Sequence, residues 1–156
     1  MVLLLLGGGA VVAYNARGLR NKNPGNLRPL PNGEKWDGQI GVDNGAGGPF
    51  VIFSSFYYGL RALARVLMNY QATYGLQTVR EMINRWAPAS ENDTNQYVDL
   101  VAAAMGVDPD QAVAVVDNKP MLFAMMGAIV KEENGLNPFS TATLDAPVNS
   151  ARLGVA

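Results

Sequence analysis

The chain has no cysteine and no histidine. These absences exclude disulfides, thiol nucleophiles, Ser-His-Asp triads and most transition-metal sites. Acid–base chemistry here must rest on Asp, Glu, Tyr or Lys. Charge is also sparse, at 16% of residues with a net −1. It is unevenly placed: residues 1–86 carry nine Lys/Arg against four Asp/Glu, and residues 87–156 carry three against nine. The basic residues are densest in "RGLRNKNPGNLR", Arg17 to Arg28. Such a stretch suits an anionic polymer or a membrane surface, or it is simply solvated. No Lys/Arg run has aromatics interleaved, so nucleic acid is not an expected partner.

Long apolar runs are lacking too. "VLLLLGGGAVVAY", Val2 to Tyr14, falls short of the roughly twenty residues a spanning helix needs, and its three glycines weaken it as an isolated helix. Arginines follow the run, whereas a secretory signal has its positive charge first. Residues 1–14 therefore read as a partial membrane anchor or a segment buried in an assembly, with a core strand as the alternative. Residues 15–156 read as one domain with enough apolar residues for one core.

Gly, Pro and Asn dominate residues 15–54, and "NKNPGNLRPLPNG" is turn chemistry. "KWDGQIGVDNGAGGPFVIFSS" offers two short apolar runs around a Gly-rich turn, a β-hairpin. From Phe56 the period changes. Leu60, Leu63, Leu67, Tyr70 and Tyr74 step by three and four, which predicts a helix ended by Gly75. Thr78 and Glu81 form a capping box for a second helix, with Val79, Met82, Ile83 and Trp86 inward and Pro88 as its stop. A third helix starts near Asp93 or Thr94, with Tyr97, Val98, Val101 and Met105 on one side. Asp108, Pro109 and Gln111 carry helix-start chemistry. A last long helix is expected from about Pro120 to Asn134, and the tail adds a short helix or strand. The fold class is mostly α (α+β): a helical domain with one small hairpin.

The last helix ends in two adjacent glutamates. Leu122, Met126 and Ile129 share a face, and Glu133 continues it at i+4 from Ile129. Glu132 lies about 100° away, toward solvent. Desolvation and the helix C-terminus both favour a neutral acid at Glu133, the form a general acid needs. The alternative is a frayed last turn with Glu133 in water.

At these residues the sequence resembles a known superfamily. "AIVKEENGLNP" is similar to the catalytic-helix motif of lytic transglycosylases and goose-type lysozymes, where an apolar helix ends in a Glu, a small polar residue and a Pro-containing loop. In that superfamily the motif opens the domain, whereas here it comes last. "NPGNLRP", "FYYGLRALARVLMNYQATYGLQTV" and "NRWAPASENDTNQYVDLV" resemble the segments that normally follow it. We read that order as a circular permutation. Across residues 18–139 the chain resembles small virion-associated lytic proteins of bacteriophages and prophages, on "RNKNPGN", "WDGQIGVD", "YGLRA", "RWAPASENDTNQY" and the terminal "ENG". The apolar N-terminus departs from the soluble members of that group.

The resemblance implies a lysozyme-like domain acting on peptidoglycan, with no metal or organic cofactor, in a phage virion and the host cell envelope (periplasm), with virion proteins as further partners; membrane contact through residues 2–14 is expected only from their apolar composition. It makes Glu133 the general acid, oriented by Tyr97. A transglycosylase uses the same Glu as base. A hydrolase needs a second carboxylate, for which Asp37 and Asp43 are the candidates, although both also fit ordinary turns. Asn23, Gly25 and Asn26 line the groove or merely hold a loop, and Thr94 is counted with them. Trp36 stacks on a sugar or covers the hairpin. Arg20 and Arg28 meet peptide carboxylates or only solvent. Glu91 is a rival acid whose alternative role is a favourable charge near a helix start. Two other readings stand beside this one: a peptidoglycan endopeptidase, which the lack of His and Cys disfavours, and a non-catalytic virion structural protein keeping the fold.

Overall fold

The computed structural model describes residues 16–90 and 93–153. The N-terminal segment, residues 1–14, and the rival acid Glu91 lie outside them. Among the described residues there are six helices and one two-stranded antiparallel sheet. They are α1 (Arg17–Arg20), β1 (Gln39–Asp43), β2 (Phe50–Phe53), α2 (Phe56–Ala72), α3 (Val79–Trp86), α4 (Thr94–Met105), α5 (Lys119–Asn134) and α6 (Thr141–Arg152). The mostly α, α+β class expected from the sequence is the class observed. No helix among the described residues is long and apolar enough to cross a membrane.

The core follows the helical stripes. Leu60, Leu63, Leu67 and Met68 of α2 are fully buried, as are Met82 and Ile83 of α3 and Val98 and Val101 of α4. Each such side chain contributes about 1.5–3 kcal/mol by leaving water. α5 is buried along Leu122, Met125, Met126, Ile129 and Val130. It packs against α4, α2, α1 and α6, while α2 packs along α6. Side-chain caps fix where helices begin: the Thr78/Glu81 box for α3, Asp93 for α4, Asn118 for α5 and Ser140 for α6. Gly106 and Gly135 end α4 and α5 in the left-handed conformation that glycine adopts without strain.

Two expectations are corrected. The α2 helix stops at Ala72, so Tyr74 lies beyond it and is exposed rather than on the inner stripe. The Asp108 segment does not open a helix. The Asp108 side chain instead accepts from the Asp110 amide in a local turn, and Ala112 bridges to Thr78. Val113 and Val115 alternate into the core, and the Gln71 amide clamps the chain by donating to the Val113 carbonyl and accepting from the Val116 amide. Burial of Val113 and Val115 together with the Gln71 clamp outweighed the local cap signal.

The hairpin is tied to α1 by one ion cluster. Arg17 Nε donates to Asp43 Oδ2 at 2.7 Å. The same guanidinium reaches the carbonyls of Asp43, Ala46 and Gly48 and lies 4.5 Å from the centre of the Phe50 ring. Asn21 Nδ2 and the Gly45 amide also donate to Asp43. The hydrogen bond from Arg17, then those from Asn21 and Gly45, hold the Asp43 carboxyl well below the usual range. A carboxylate with a depressed folded-state pKa adds stability above its unfolded value, and that stability is lost as pH falls. Asp43→Asn is therefore expected to melt at a lower temperature than wild type at neutral pH. The gap should shrink below about pH 4, the unfolded carboxylate value. A gap that is constant with pH contradicts this account.

Candidate functional site

Glu133 sits in the last turn of α5 and is half-buried, while Glu132 beside it is exposed. Three neutral donors from three other segments meet its carboxylate. Trp86 Nε1, at the end of α3, donates to Oε1 at 3.2 Å. Tyr97 Oη, in the first turns of α4, donates to the same oxygen at 3.0 Å. Asn26 Nδ2, in the loop after α1, donates to Oε2 at 3.0 Å. A carboxylate oxygen offers about two acceptor positions. Both on Oε1 are occupied, and among the described residues only Asn26 takes one on Oε2. These bonds replace water lost on burial and fix the direction of the carboxylate.

Each donor is itself positioned. Thr94 is buried, and its hydroxyl donates to the Ala87 carbonyl at 2.6 Å. It thereby joins the end of α3 to the start of α4 and sets Trp86 against Tyr97; it does not line the groove. Tyr97 is 6% exposed. Burial, and after it the charge of Glu133, pushes its phenol far above the ordinary range, so it remains a donor. Asn134 is buried, and its Nδ2 donates to the carbonyls of Pro24 and Val130, fastening the Asn26 loop to α5. Asn26 holds a left-handed φ of 49°, a conformation Asn tolerates better than most residues. Both Asn26 Oδ1 and Asn134 Oδ1 are buried without a hydrogen-bond partner. They crowd the backbone of Gly18, where any Cβ would strike them.

Glu133 opens on a groove of about 670 Å³ whose lining includes Gly25, Asn26, Arg28, Trp36, Tyr70 and Trp86. It is the sole carboxylate among the described lining residues. Gly25 packs close to Trp86 and Leu63. Trp36 donates its indole N–H to the Arg28 carbonyl at 3.2 Å and packs on the small core of Leu27, Val51, Phe53 and Ala62. Arg28 stands over Phe50, 5.6 Å from its ring centre.

Other candidates lie elsewhere. Asp37 pairs with Arg61 at 2.8 Å and is 65% exposed. Asp43 belongs to the Arg17 cluster, and Arg20 is an exposed outer member of it, 3.8 Å from Asp43. Neither aspartate lines the groove. Asn23 is fully buried with its whole amide committed to backbone. The sequence reading missed Trp86 and Asn134 as site residues. A Trp closing an amphipathic helix just before Pro88 was the available signal, because a half-buried indole N–H needs an acceptor.

No protein-family model matches the chain. It is 37% identical over 126 residues to Protein P5 of Pseudoalteromonas phage PM2, covering 80% of this chain and 75% of that protein. The chain belongs to the family of that phage protein. Membership in the P5 family agrees with the bacteriophage part of the resemblance drawn from the motifs. It says nothing about glycan cleavage, for which the bonding of Glu133 is the relevant observation.

Proposed function

We propose that this member of the P5 family is a virion-associated muralytic enzyme that cleaves the glycan strand of peptidoglycan by a transglycosylase-type reaction. The observation that carries the reading is a groove whose described lining holds one carboxylate, Glu133, oriented by Trp86, Tyr97 and Asn26, with one acceptor position of Oε2 taken by no described residue. In its protonated form Glu133 gives the Oε2 proton to the glycosidic oxygen. The C1–O bond breaks, and the leaving sugar departs as an alcohol. The Oε2 carboxylate then takes the proton of the substrate's own C6 hydroxyl as that oxygen attacks C1. A 1,6-anhydro ring closes, Glu133 is protonated again, and no water is consumed. A hydrolase needs a second carboxylate about 5–9.5 Å away to act as nucleophile or to activate water. Asp37 and Asp43 are held by Arg61 and Arg17 instead.

A zymogram on purified sacculi, followed by product analysis, tests this. Lysis with 1,6-anhydro ends is the expected result, and Asp37→Asn should keep activity within about threefold, against the hundredfold or more that loss of an acid–base group costs. New reducing ends point to hydrolysis, and free amines to an endopeptidase. No lysis leaves a structural virion protein that keeps the fold.

A further inference from the structure

The groove continues past Trp36. A second hollow of about 630 Å³ shares Leu30, Pro31, Trp36, Val66 and Tyr70 with the one that holds Glu133, and it extends to Tyr74 and Arg85. Arg85 closes α3. Its guanidinium carbon lies 3.7 Å from the centre of the Tyr74 ring and 5.5 Å from that of Tyr70. Cation–π stacking of this kind holds the plane of the guanidinium while leaving its in-plane N–H groups free to donate. Among the described residues no carboxylate pairs with Arg85. Arg17, Arg61 and Arg80, by contrast, are held by Asp43, Asp37 and Asp110. Arg85 is thus a planar, pre-oriented cation on the wall of the groove whose donors no described carboxylate takes.

We propose that Arg85 receives a carboxylate carried by the polymer lying in the groove, on the peptide branch of the glycan. This rests on the glycan reading above. The sugar rings present mainly hydroxyl and N-acetyl groups, which do not call for a fixed guanidinium. Peptide branches carry free carboxylates, which match its fork. Bound this way, the strand has one sugar linkage at Glu133 and an acidic branch at the far arm, so peptide-bearing strands are preferred over bare ones.

The test uses the full chain carrying Glu133→Gln, which prevents turnover, and two soluble glycan preparations of equal length, one with peptides and one stripped by an amidase. Calorimetry should show the peptide-bearing glycan binding about tenfold tighter, the scale of one charge-assisted hydrogen bond, with the difference shrinking as salt rises. Adding Arg85→Gln should bring its affinity down to that of the stripped glycan. Arg80→Gln, whose cation pairs with Asp110 away from the groove, should keep the preference. If Arg85→Gln does not fold, Arg85→Lys reads the same effect at smaller size, because it keeps the charge and loses the planar fork. Equal binding of the two glycans by the parent overturns the proposal, as does a preference that survives in folded Arg85→Gln. Binding of neither glycan overturns the glycan reading itself, and this proposal with it.

Discussion

Glu133→Gln abolishes lysis of purified sacculi, and Glu132→Gln leaves it near wild type: this pair of outcomes is expected from where the two side chains point. They are neighbours in the same turn of α5, so the exposed Glu132 is an internal control for charge, helix propensity and dipole. Glutamine at 133 keeps an oxygen for the Trp86 and Tyr97 donors. A flip of the Asn26 amide would turn its oxygen, which has no partner, toward the new N–H. The site therefore stays assembled, and the melting temperature should move little. The glutamine cannot give up or recover a proton. Loss of a positioned acid–base group costs about 10²–10⁴-fold, and in the proposed reaction one group serves both steps. The assay is turbidity loss of sacculi with melting curves on the same preparations. Normal lysis by Glu133→Gln, or equal losses in both variants, sinks the assignment.

Most of the architecture was legible because it is local. Helical periodicity and caps located α2 to α5, and the switch to Gly-rich turns located the hairpin. Helix phase also separated the two glutamates, since Met126 and Ile129 define the inward face one turn before Glu133. Periodicity failed where distant segments decide the outcome. The Asp108 caps were overruled by Gln71, which lies across the core and fixes Val113 and Val116. The aspartates of the hairpin look alike in sequence, yet one meets Arg17 and the other Arg61. No local pattern reports those partners. The same limit hid Asn134 and left Trp86 with only a hint of an unnamed acceptor, since both roles exist only once α3, the Asn26 loop and the end of α5 converge.

Asn23→Ala is expected to destabilise the protein by about 2–4 kcal/mol, the cost of leaving the buried Val51 carbonyl and Leu27 amide without the Asn23 side chain. The loop from Asn21 to Leu27 runs along the outer edge of β2. There the Phe53 amide donates to the Asn21 carbonyl and the Val51 amide to the Leu27 carbonyl. Asn23 locks this arrangement. Its Nδ2 donates to the Leu27 and Val51 carbonyls and its Oδ1 accepts from the Leu27 amide, each at 2.9 Å. The side chain has 0% exposure, so no acceptor or donor remains for a ligand. Truncation frees the loop that carries Asn26 to Glu133, and lysis should fall with stability. The two effects separate with temperature: cooling well below the new melting point should restore much of the activity, which loss of a substrate contact would not allow. Thermal melts paired with a lysis assay at two temperatures decide it. An Asn23→Ala protein that melts like wild type yet fails to lyse would return Asn23 to the groove as a ligand-binding residue.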